Sequence, residues 1–319
     1  MIVTRFAPSP TGLLHLGHAF AALTAFAGAD RFVLRIEDID TARSRAQFVD
    51  AIFEDLRWLG LSWEEPVLRQ STRAPAYRAA LDALDAKGLL YPCFCTRKDI
   101  AEEIARAGEA PHIDSLAAPR PGDRLAAPRP GDHLAASRPG PDGPIYPGLC
   151  RTLSHDERTR RVAAGEAYVL RLDAAKAAAR TGPLSFRELG SGGHGEHGTI
   201  AVQPLLFGDV VLARKAMPAA YHLAVVVDDA FQGVTRVTRG NDLFAATHVQ
   251  RLLQALLGLP APDYAHQRLI LDGAGRKFSK RDRATTLRDL RAQAATPQDI
   301  RRRVGLLSGS PLHGIDDPL

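Results

Sequence analysis

The sequence predicts an α/β fold in which helices cover a parallel sheet. Apolar runs typical of strands alternate along the chain with patterns of period 3.6 that are typical of helices. Glycine, proline and capping residues separate these segments. The chain has 319 residues and is 45% hydrophobic, which is enough for about two domains with a buried core.

The first third of the chain contains the clearest elements. Residues 2–7 predict a strand, 17–27 a helix and 32–36 a buried strand. Residues 44–59 predict an amphipathic helix that ends at Gly60, the position where a left-handed glycine closes many helices. The apolar face of this helix is formed by Phe48, Ile52, Leu56 and Leu59.

Later elements follow the same alternation. Four apolar runs predict strands, and they cover 168–172, 209–214, 224–227 and 234–238. Asn241 is the predicted cap of a helix that ends at Gly258. A strand-like run over 268–271 leads to a predicted turn at Asp272-Gly273. Thr296, with Pro297 at the first helical position, begins the last predicted helix.

A nine-residue unit is repeated in tandem in the middle of the chain. It reads LAAPRPGDR from Leu116, LAAPRPGDH from Leu125 and LAASRPGPD from Leu134. Two prolines in a unit exclude a helix or a strand ladder, and nine residues are too few for a solenoid repeat. We therefore expect a disordered or polyproline-like insertion over 107–144. Between Arg106 and Asp142 the chain has five arginines and five acidic residues, and this balance disfavours RNA binding by the repeat.

Positive charge is concentrated near the C-terminal end. The chain carries 41 basic and 36 acidic residues, but 11 basic and only 4 acidic residues fall between 268 and 303. This local excess suits a polyanion such as ATP or RNA. The alternative is a solvated, arginine-rich helical surface.

No segment predicts export or membrane insertion. The N-terminus lacks a basic region followed by an apolar one. The most apolar early stretch, 19–29, falls well short of the ~20 residues needed to cross a bilayer. We expect a cytoplasmic protein that does not bind membranes and that acts as a monomer.

A phosphate site is predicted where the first strand passes into the first helix. The strand runs through the turn PSPTG into His15-Leu16-Gly17-His18, which opens the helix. A helix N-terminus attracts phosphate through unpaired N–H groups and the positive end of its dipole, and imidazoles add donors. Gly17 lets a nucleotide lie against the backbone. A single histidine here would more often be a cap or a surface residue. The prediction therefore depends on the whole sequence of strand, proline- and glycine-containing turn, and His15-Leu16-Gly17-His18.

A second cationic element, GRKFSKR at 275–281, suits the transient stabilisation of a phosphoryl transition state. Taken alone it would more often be a solvated basic loop.

The three cysteines fit a reducing compartment and leave metal binding open. Cys93, Cys95 and Cys150 are an odd number that fits a reducing compartment, and three thiolates form an incomplete tetrahedral zinc set.

Six motifs together resemble the glutamyl-tRNA synthetase-like class I aminoacyl-tRNA synthetases. They are RFAPSPTGLLHLGHA, RIEDID, LRWLGLSWEE, YHLAVVVDD, VTRGNDL and KFSKR, in the family's order. The resemblance implies a Rossmann-type catalytic domain split by a zinc-bearing insertion and followed by a short helical C-terminal tail. The implied segments are two Rossmann halves (1–92 and 195–265), the insertion (93–194), and a KMSKS-like loop with the tail (266–319).

The resemblance also implies the substrates and the residues that bind them. Glutamate would react with ATP, accompanied by Mg²⁺, to give glutamyl-adenylate, and the glutamyl group would then pass to an RNA hydroxyl. The implied catalytic residues are His15, His18 and Lys280. The implied ATP-binding residues are His15, Gly17, His18, Lys277, Ser279 and Lys280. The implied glutamate-binding residues are Arg5, Phe6, Ala7, Pro8, Ser9, Glu37, Tyr221 and Arg239.

Within the glutamate site, Glu37 would face the ammonium group, and Arg5 and Arg239 would take the carboxylates. One departure from the family is Ala216-Met217, where an Asp-Gly pair commonly precedes the tyrosine. Zinc-containing relatives show C-x-C followed by Y-x-x-x-C. The resemblance therefore implies one structural Zn²⁺ per chain, with the ligands Cys93, Cys95, Tyr146 and Cys150.

The implied acceptor is tRNA(Asp) that carries queuosine. Only 38 residues follow Arg281, whereas a full glutamyl-tRNA synthetase continues into anticodon-binding domains, and the shortened form resembles the glutamyl-queuosine tRNA(Asp) synthetases. Three alternatives stay open. They are a minimal glutamyl-tRNA synthetase, another HIGH-type nucleotidylyltransferase or small-molecule ligase, and a noncatalytic RNA-binding paralogue.

Overall fold

A computed structural model provides the structure of the chain, and it describes residues 1–109, 139–214, 217–271 and 285–306. Strands and helices alternate within these ranges, and parallel strands form the sheets at both ends of the chain. The α/β prediction is therefore confirmed. No helix in these ranges is both long and apolar enough to cross a membrane.

The N-terminal part is a three-stranded parallel sheet with its helices. Its elements are β1 (Val3–Phe6), α1 (Leu16–Ala27), β2 (Arg31–Ile36), α2 (Ala46–Trp58), β3 (Glu64–Arg69) and α3 (Ala74–Asp85). The strand order is β1-β2-β3. The helix predicted over 44–59 is confirmed as α2, and Gly60 follows it with φ +79°, a conformation that favours glycine.

The middle part consists of shorter elements. They are β4 (Leu90–Cys93), α4 (Arg97–Glu109), β5 (Pro139–Gly140), β6 (Gly143–Pro144), α5 (His155–Ala163), β7 (Val169–Leu172), α6 (Ala174–Thr181), β8 (Ser185–Glu188), β9 (Gly198–Ala201) and β10 (Val211–Arg214). The runs over 168–172 and 209–214 are strands, as predicted. They pair with each other antiparallel in the order β10-β7-β4, so they do not belong to the parallel sheet.

The disordered insertion predicted over 107–144 is wrong at both ends. Residues 107–109 complete α4, and 139–144 form the β5–β6 hairpin. Proline and aspartate at 141–142, between two glycines, favour this tight turn. Residues 110–138, which include most of the nine-residue repeat, lie outside the described residues.

The C-terminal part contributes strands to a second, mostly parallel sheet that adjoins the first. Its elements are α7 (Tyr221–Phe231), β11 (Arg236–Gly240), α8 (Ala246–Leu257), β12 (Asp263–Gln267), α9 (Leu287–Ala292) and α10 (Pro297–Arg303). β11, β12 and β8 run parallel, and β9 pairs antiparallel with β8. The N–H of Thr235 donates to the carbonyl of Val3 at 3.0 Å, which places β11 beside β1.

Two strand predictions in this part are wrong. The run over 224–227 lies inside α7, because a short apolar run does not by itself distinguish a buried strand from a buried helix. The strand placed at 268–271 is instead β12, whose polar residues conceal its apolar pattern. Asn241 begins a 3₁₀ turn, and α8 starts only at Ala246.

α9 and α10 pack against the N-terminal part of the chain. Leu287, Leu290, Ile300 and Val304 belong to the same core cluster as Leu56 and Leu59. Thr296 caps α10 and Pro297 stands at its first position, as predicted. Some of the basic residues here serve this packing, since Arg291 pairs with Glu54 at 3.0 Å.

Candidate active site

The His15-Leu16-Gly17-His18 segment opens α1, as the sequence predicts. His15 is the N-cap residue, and its main-chain N–H donates to Nδ1 of His18 at 3.2 Å. The two imidazole centroids are 3.8 Å apart. A Cβ atom at Gly17 would lie 3.2 Å from Nδ1 and Cε1 of His15, so the glycine gives the ring its space. Two imidazoles therefore stand together at the positive end of the α1 dipole.

The segment that contains Lys277, Ser279 and Lys280 lies outside the described residues, but both of its flanks meet the start of the chain. Before it, the Arg268 guanidinium lies over the ring of Phe20, on α1, at 5.0 Å. After it, Thr286 forms an antiparallel bridge with His15. The flanks of the KMSKS-like segment thus lie beside α1, the helix that His15 opens.

A network of four charged side chains connects β1, β2 and α7. Nε of Arg5 donates to Oδ1 of Asp229 at 3.2 Å. Nη1 of Arg35 donates to the same oxygen at 2.8 Å, and Nη2 of Arg35 donates to Oε1 of Glu37 at 3.3 Å. Two guanidinium groups and two carboxylates therefore balance in this network. The sequence analysis included Arg5 and Glu37 but missed Arg35 and Asp229.

The ionisation of this network follows from burial and pairing. Burial raises the pKa of Glu37, although Arg35 and Arg5 act in the opposite direction. Burial also disfavours the charged form of Asp229, but Arg5 and Arg35 outweigh it and hold that pKa below its usual value. A cationic group placed beside Glu37 would favour its ionised form. Glu37 therefore suits an ammonium ligand.

Tyr221 and Arg239, both predicted for the glutamate site, are brought together. Nη1 of Arg239 lies 3.4 Å from the Tyr221 hydroxyl. Arg239 is only 5% exposed, whereas Tyr221 is 37% exposed, so the tyrosine marks the side that faces solvent. The other contacts of the guanidinium are His266 Nε2 at 3.1 Å, Thr247 Oγ1 at 2.7 Å and Gln250 Oε1 at 2.9 Å. All three of these acceptors were missed by the sequence analysis.

The remaining predicted glutamate residues lie at the end of β1 and in the turn that follows it. Phe6 packs its side chain in the core. The carbonyl of Pro8 accepts the N–H of Glu37 at 3.0 Å, and the carbonyl of Ser9 accepts from Thr11 at 2.9 Å. Ala7 stands between Phe6 and Pro8 and is partly buried. These bonds tie the turn to the end of β2.

The loop before Tyr221 is tight at its described end. Met217 and Arg214 exchange two main-chain hydrogen bonds, each of 3.0 Å. Ala216 lies outside the described residues. The departure from the family's Asp-Gly pair thus falls in the segment between β10 and α7.

The three cysteines and Tyr146 converge at the end of β4. The three Sγ atoms lie within 4.8 Å of one another. The Tyr146 hydroxyl lies 3.3 Å from Cys93 Sγ and 3.6 Å from Cys95 Sγ. Tetrahedral ligands around Zn²⁺, with Zn–S near 2.3 Å, stand about 3.8 Å apart. The donor set therefore fits a tetrahedral metal site.

The thiols of this cluster do not ionise alike. Hydrogen bonding from Cys150 lowers the pKa of Cys93 to about 4. Burial raises the pKa of Cys95, and the hydrogen bond with Cys93 raises that of Cys150. A cation among the three would favour the thiolate form of each.

Comparison with known proteins identifies the family. Residues 1–316 match the model of the tRNA synthetases class I (E and Q), catalytic domain. The chain belongs to this family. The family is a class of ligases, and the resemblance predicted from the sequence motifs is confirmed.

Within the family, the chain is similar to glutamyl-Q tRNA(Asp) synthetases. It is 48% identical to that of Rhodobacter capsulatus over 311 residues, which cover 96% of this chain and 100% of the relative. It is 38% identical to that of Symbiobacterium thermophilum, over 97% of this chain and 87% of the relative.

The structure is similar to a crystal structure of glutamate-tRNA synthetase from Elizabethkingia anophelis. The TM-score is 0.65 at 27% identity. The likeness covers 88% of this chain and 53% of that one, so the chain spans about half the length of that synthetase.

Proposed function

We propose that the protein activates L-glutamate with ATP and transfers the glutamyl group to the queuosine base of tRNA(Asp). The observation that carries the proposal is the match along 100% of the length of a glutamyl-Q tRNA(Asp) synthetase at 48% identity. The paired imidazoles at the start of α1 and the cluster around Arg239 support it, because they supply donors for phosphate and for carboxylate.

In the activation step, a carboxylate oxygen of glutamate attacks the α-phosphorus of ATP. A new P–O bond forms, the bond from this phosphorus to the bridging oxygen breaks, and pyrophosphate leaves with the electron pair. Such a reaction depends on positioning and on charge stabilisation. We assign donation to the phosphate oxygens to His15 and His18, and neutralisation of the developing charge to Lys280.

The charge balance distinguishes the two arginines of the glutamate site. Arg5 is already paired with the carboxylate of Asp229 at 3.2 Å. Among the described residues, the hydrogen-bond acceptors of Arg239 are neutral groups of Tyr221, Thr247, Gln250 and His266. Arg239 therefore offers the less compensated charge, and we propose it as the principal partner of a glutamate carboxylate, with Glu37 facing the ammonium.

In the transfer step, a hydroxyl oxygen of the queuosine cyclopentenediol attacks the carbonyl carbon of glutamyl-adenylate. The C–O bond to the phosphate breaks, AMP leaves with the electron pair, and the hydroxyl proton passes to solvent. The product is a glutamyl ester on the modified base.

We further propose one structural Zn²⁺, held by Cys93, Cys95, Tyr146 and Cys150. When bound, it would cross-link the end of β4 to the segment that begins at Tyr146. The chemistry of the donors supports this assignment, since thiolates are favoured zinc ligands.

Glutamate-dependent exchange of pyrophosphate into ATP, without tRNA, tests the activation step. We expect exchange by the wild-type chain and a loss of about 100-fold or more in Lys280→Ala, with Lys98→Ala, an exposed lysine of α4, as the matched control. A wild-type protein that catalyses no exchange would favour the alternative of a noncatalytic paralogue.

A minimal glutamyl-tRNA synthetase is the second candidate, favoured by the likeness to the glutamate-tRNA synthetase of Elizabethkingia anophelis. Charging of a tRNA that lacks queuosine would establish it.

A further inference from the structure

Two buried side chains, Glu188 and His266, lie on the core side of Arg239 and have no role in the proposed chemistry. Glu188, at the end of β8, is 0% exposed, and His266, on β12, is 1% exposed. Nδ1 of His266 and Oε2 of Glu188 are 2.5 Å apart. On the other side of the ring, Nε of Arg239 donates to Nε2 of His266 at 3.1 Å. Glu188, His266 and Arg239 thus form a chain of hydrogen bonds that leads from the core to the proposed glutamate site.

The contacts determine where the histidine carries its proton. A guanidinium can only donate, so Nε2 of His266 must be an acceptor, and the proton lies on Nδ1, where it is donated to Glu188. Burial lowers the pKa of His266, which agrees with a neutral ring. The tautomer is therefore the one that accepts from Arg239.

Glu188 is itself rigidly held. Its Oε1 accepts the N–H of Gly190 and the N–H of His266, both at 2.8 Å. A Cβ atom at Gly190 would overlap the main chain of His266, so the backbone also approaches closely here. The carboxylate has little freedom to move away from the imidazole.

We infer that His266, oriented by Glu188, is a positioning residue that aims the guanidinium of Arg239 at a carboxylate of the amino-acid substrate. The inference rests on the proposed function. His266 holds Nε, Thr247 holds Nη2, and Gln250 and the Tyr221 hydroxyl share Nη1, so the plane of the guanidinium is fixed with Nη1 on the side of the exposed Tyr221. A bidentate carboxylate contact needs this plane to be fixed.

Two conservative substitutions separate positioning from packing. In His266→Gln, the amide oxygen reaches the place of Nε2 and can still accept from Arg239. In His266→Asn, the shorter amide can still donate to Glu188 but does not reach Arg239. Both replace the ring by an amide in the same cavity, so each serves as the control of the other.

The measurement is pyrophosphate exchange as a function of glutamate and of ATP. We expect His266→Asn to raise the KM for glutamate about tenfold or more, the scale of one lost hydrogen bond to a charged group. We expect His266→Gln to stay within about threefold of the wild type, and the KM for ATP to be unchanged in both. A purely structural role would not separate the two variants or the two substrates.

Glu188→Gln is the second variant, and it decides the question if His266→Asn does not fold. The two main-chain N–H groups at Oε1 would place the glutamine oxygen there, so its NH2 group would donate to Nδ1 of His266. The histidine proton would then lie on Nε2, against Arg239, and the KM for glutamate should rise. Unchanged glutamate KM values in the folded variants, beside an active wild type, would overturn the inference alone. An inactive wild type would overturn the proposed function and this inference with it.

Discussion

The main-chain N–H of Leu287 donates to the carbonyl of Leu14 at 2.8 Å. The preceding residue, Thr286, forms a bridge with His15. These contacts join Thr286 and Leu287, at the start of α9, to Leu14 and His15, just before α1. The described chain that follows the segment assigned to the KMSKS-like loop therefore lies directly beside the paired imidazoles, which we assign to ATP.

Removal of the Thr286 cap should impair activation. Thr286 and Thr296 each cap a short helix and form a capping box, with Asp289 and Asp299, but only Thr286 meets His15. Alanine at either position should lower the free energy of unfolding by about 1 kcal/mol. We expect Thr286→Ala alone to reduce pyrophosphate exchange, by about tenfold, since small displacements near reacting groups are costly. Equal exchange rates in the two variants would contradict this coupling.

Alanine at Gly17 should separate activity from stability. The new Cβ would press on the His15 ring at 3.2 Å, whereas a Cβ at Gly28, at the other end of α1, would make an ordinary contact of 3.6 Å with the Thr24 carbonyl. Alanine within a helix is favoured over glycine by about 1 kcal/mol. We expect Gly17→Ala to keep its thermal stability but to raise the KM for ATP several-fold, and Gly28→Ala to change neither. A normal KM for ATP in Gly17→Ala would remove the need for this glycine.

The cysteine cluster should contain one zinc ion per chain. Metal analysis of protein purified under reducing conditions measures it, and Cys150→Ser should lose the metal and lower the Tm. Ser154→Ala, which alters only an exposed helix cap nearby, is the control. Chelation of the wild type should lower the Tm in the same way, because metal binding is coupled to folding. Zinc near zero in the reduced wild type would reject the assignment.

Stability should depend on pH through Asp55. This side chain is 1% exposed, its nearest cation is Arg291 at 3.5 Å, and burial raises its pKa to about 6. A carboxyl group that binds its proton more tightly in the folded state stabilises the fold below its unfolded pKa, and this contribution is lost as the pH rises through about 6. Asp55→Asn should therefore gain about 1 kcal/mol relative to the wild type between pH 5 and pH 7.5, measured by urea unfolding. A difference independent of pH would show that Asp55 does not titrate here.

Local patterns predicted the parts of the site that are continuous in sequence. The turn after β1 and the His15-to-His18 segment are set by neighbouring prolines, glycines and helix geometry, so the start of α1 could be predicted. The helical state of the buried run in α7 could not be predicted. Its apolar residues and Asp228 and Asp229 are all buried, so no alternation of apolar and polar residues reveals the helix period.

The support of Arg239 comes from contacts between distant segments. Glu188, Thr247, Gln250 and His266 lie on three different elements. The sequence does carry one signal of a buried polar partner. Thr247 and Gln250 are polar residues on the buried face of an otherwise apolar helix pattern. Their partner could not be named without the fold, because the pairing of β8 with β12 is what brings Glu188 to His266.

Transfer of labelled glutamate to tRNA(Asp), with and without queuosine, tests the central claim most directly. The proposed function predicts ATP-dependent labelling of the queuosine-containing tRNA(Asp), loss of that label when the modified base is removed, and no labelling of the unmodified tRNA. Equal labelling of both RNAs at the 3′ end would contradict it.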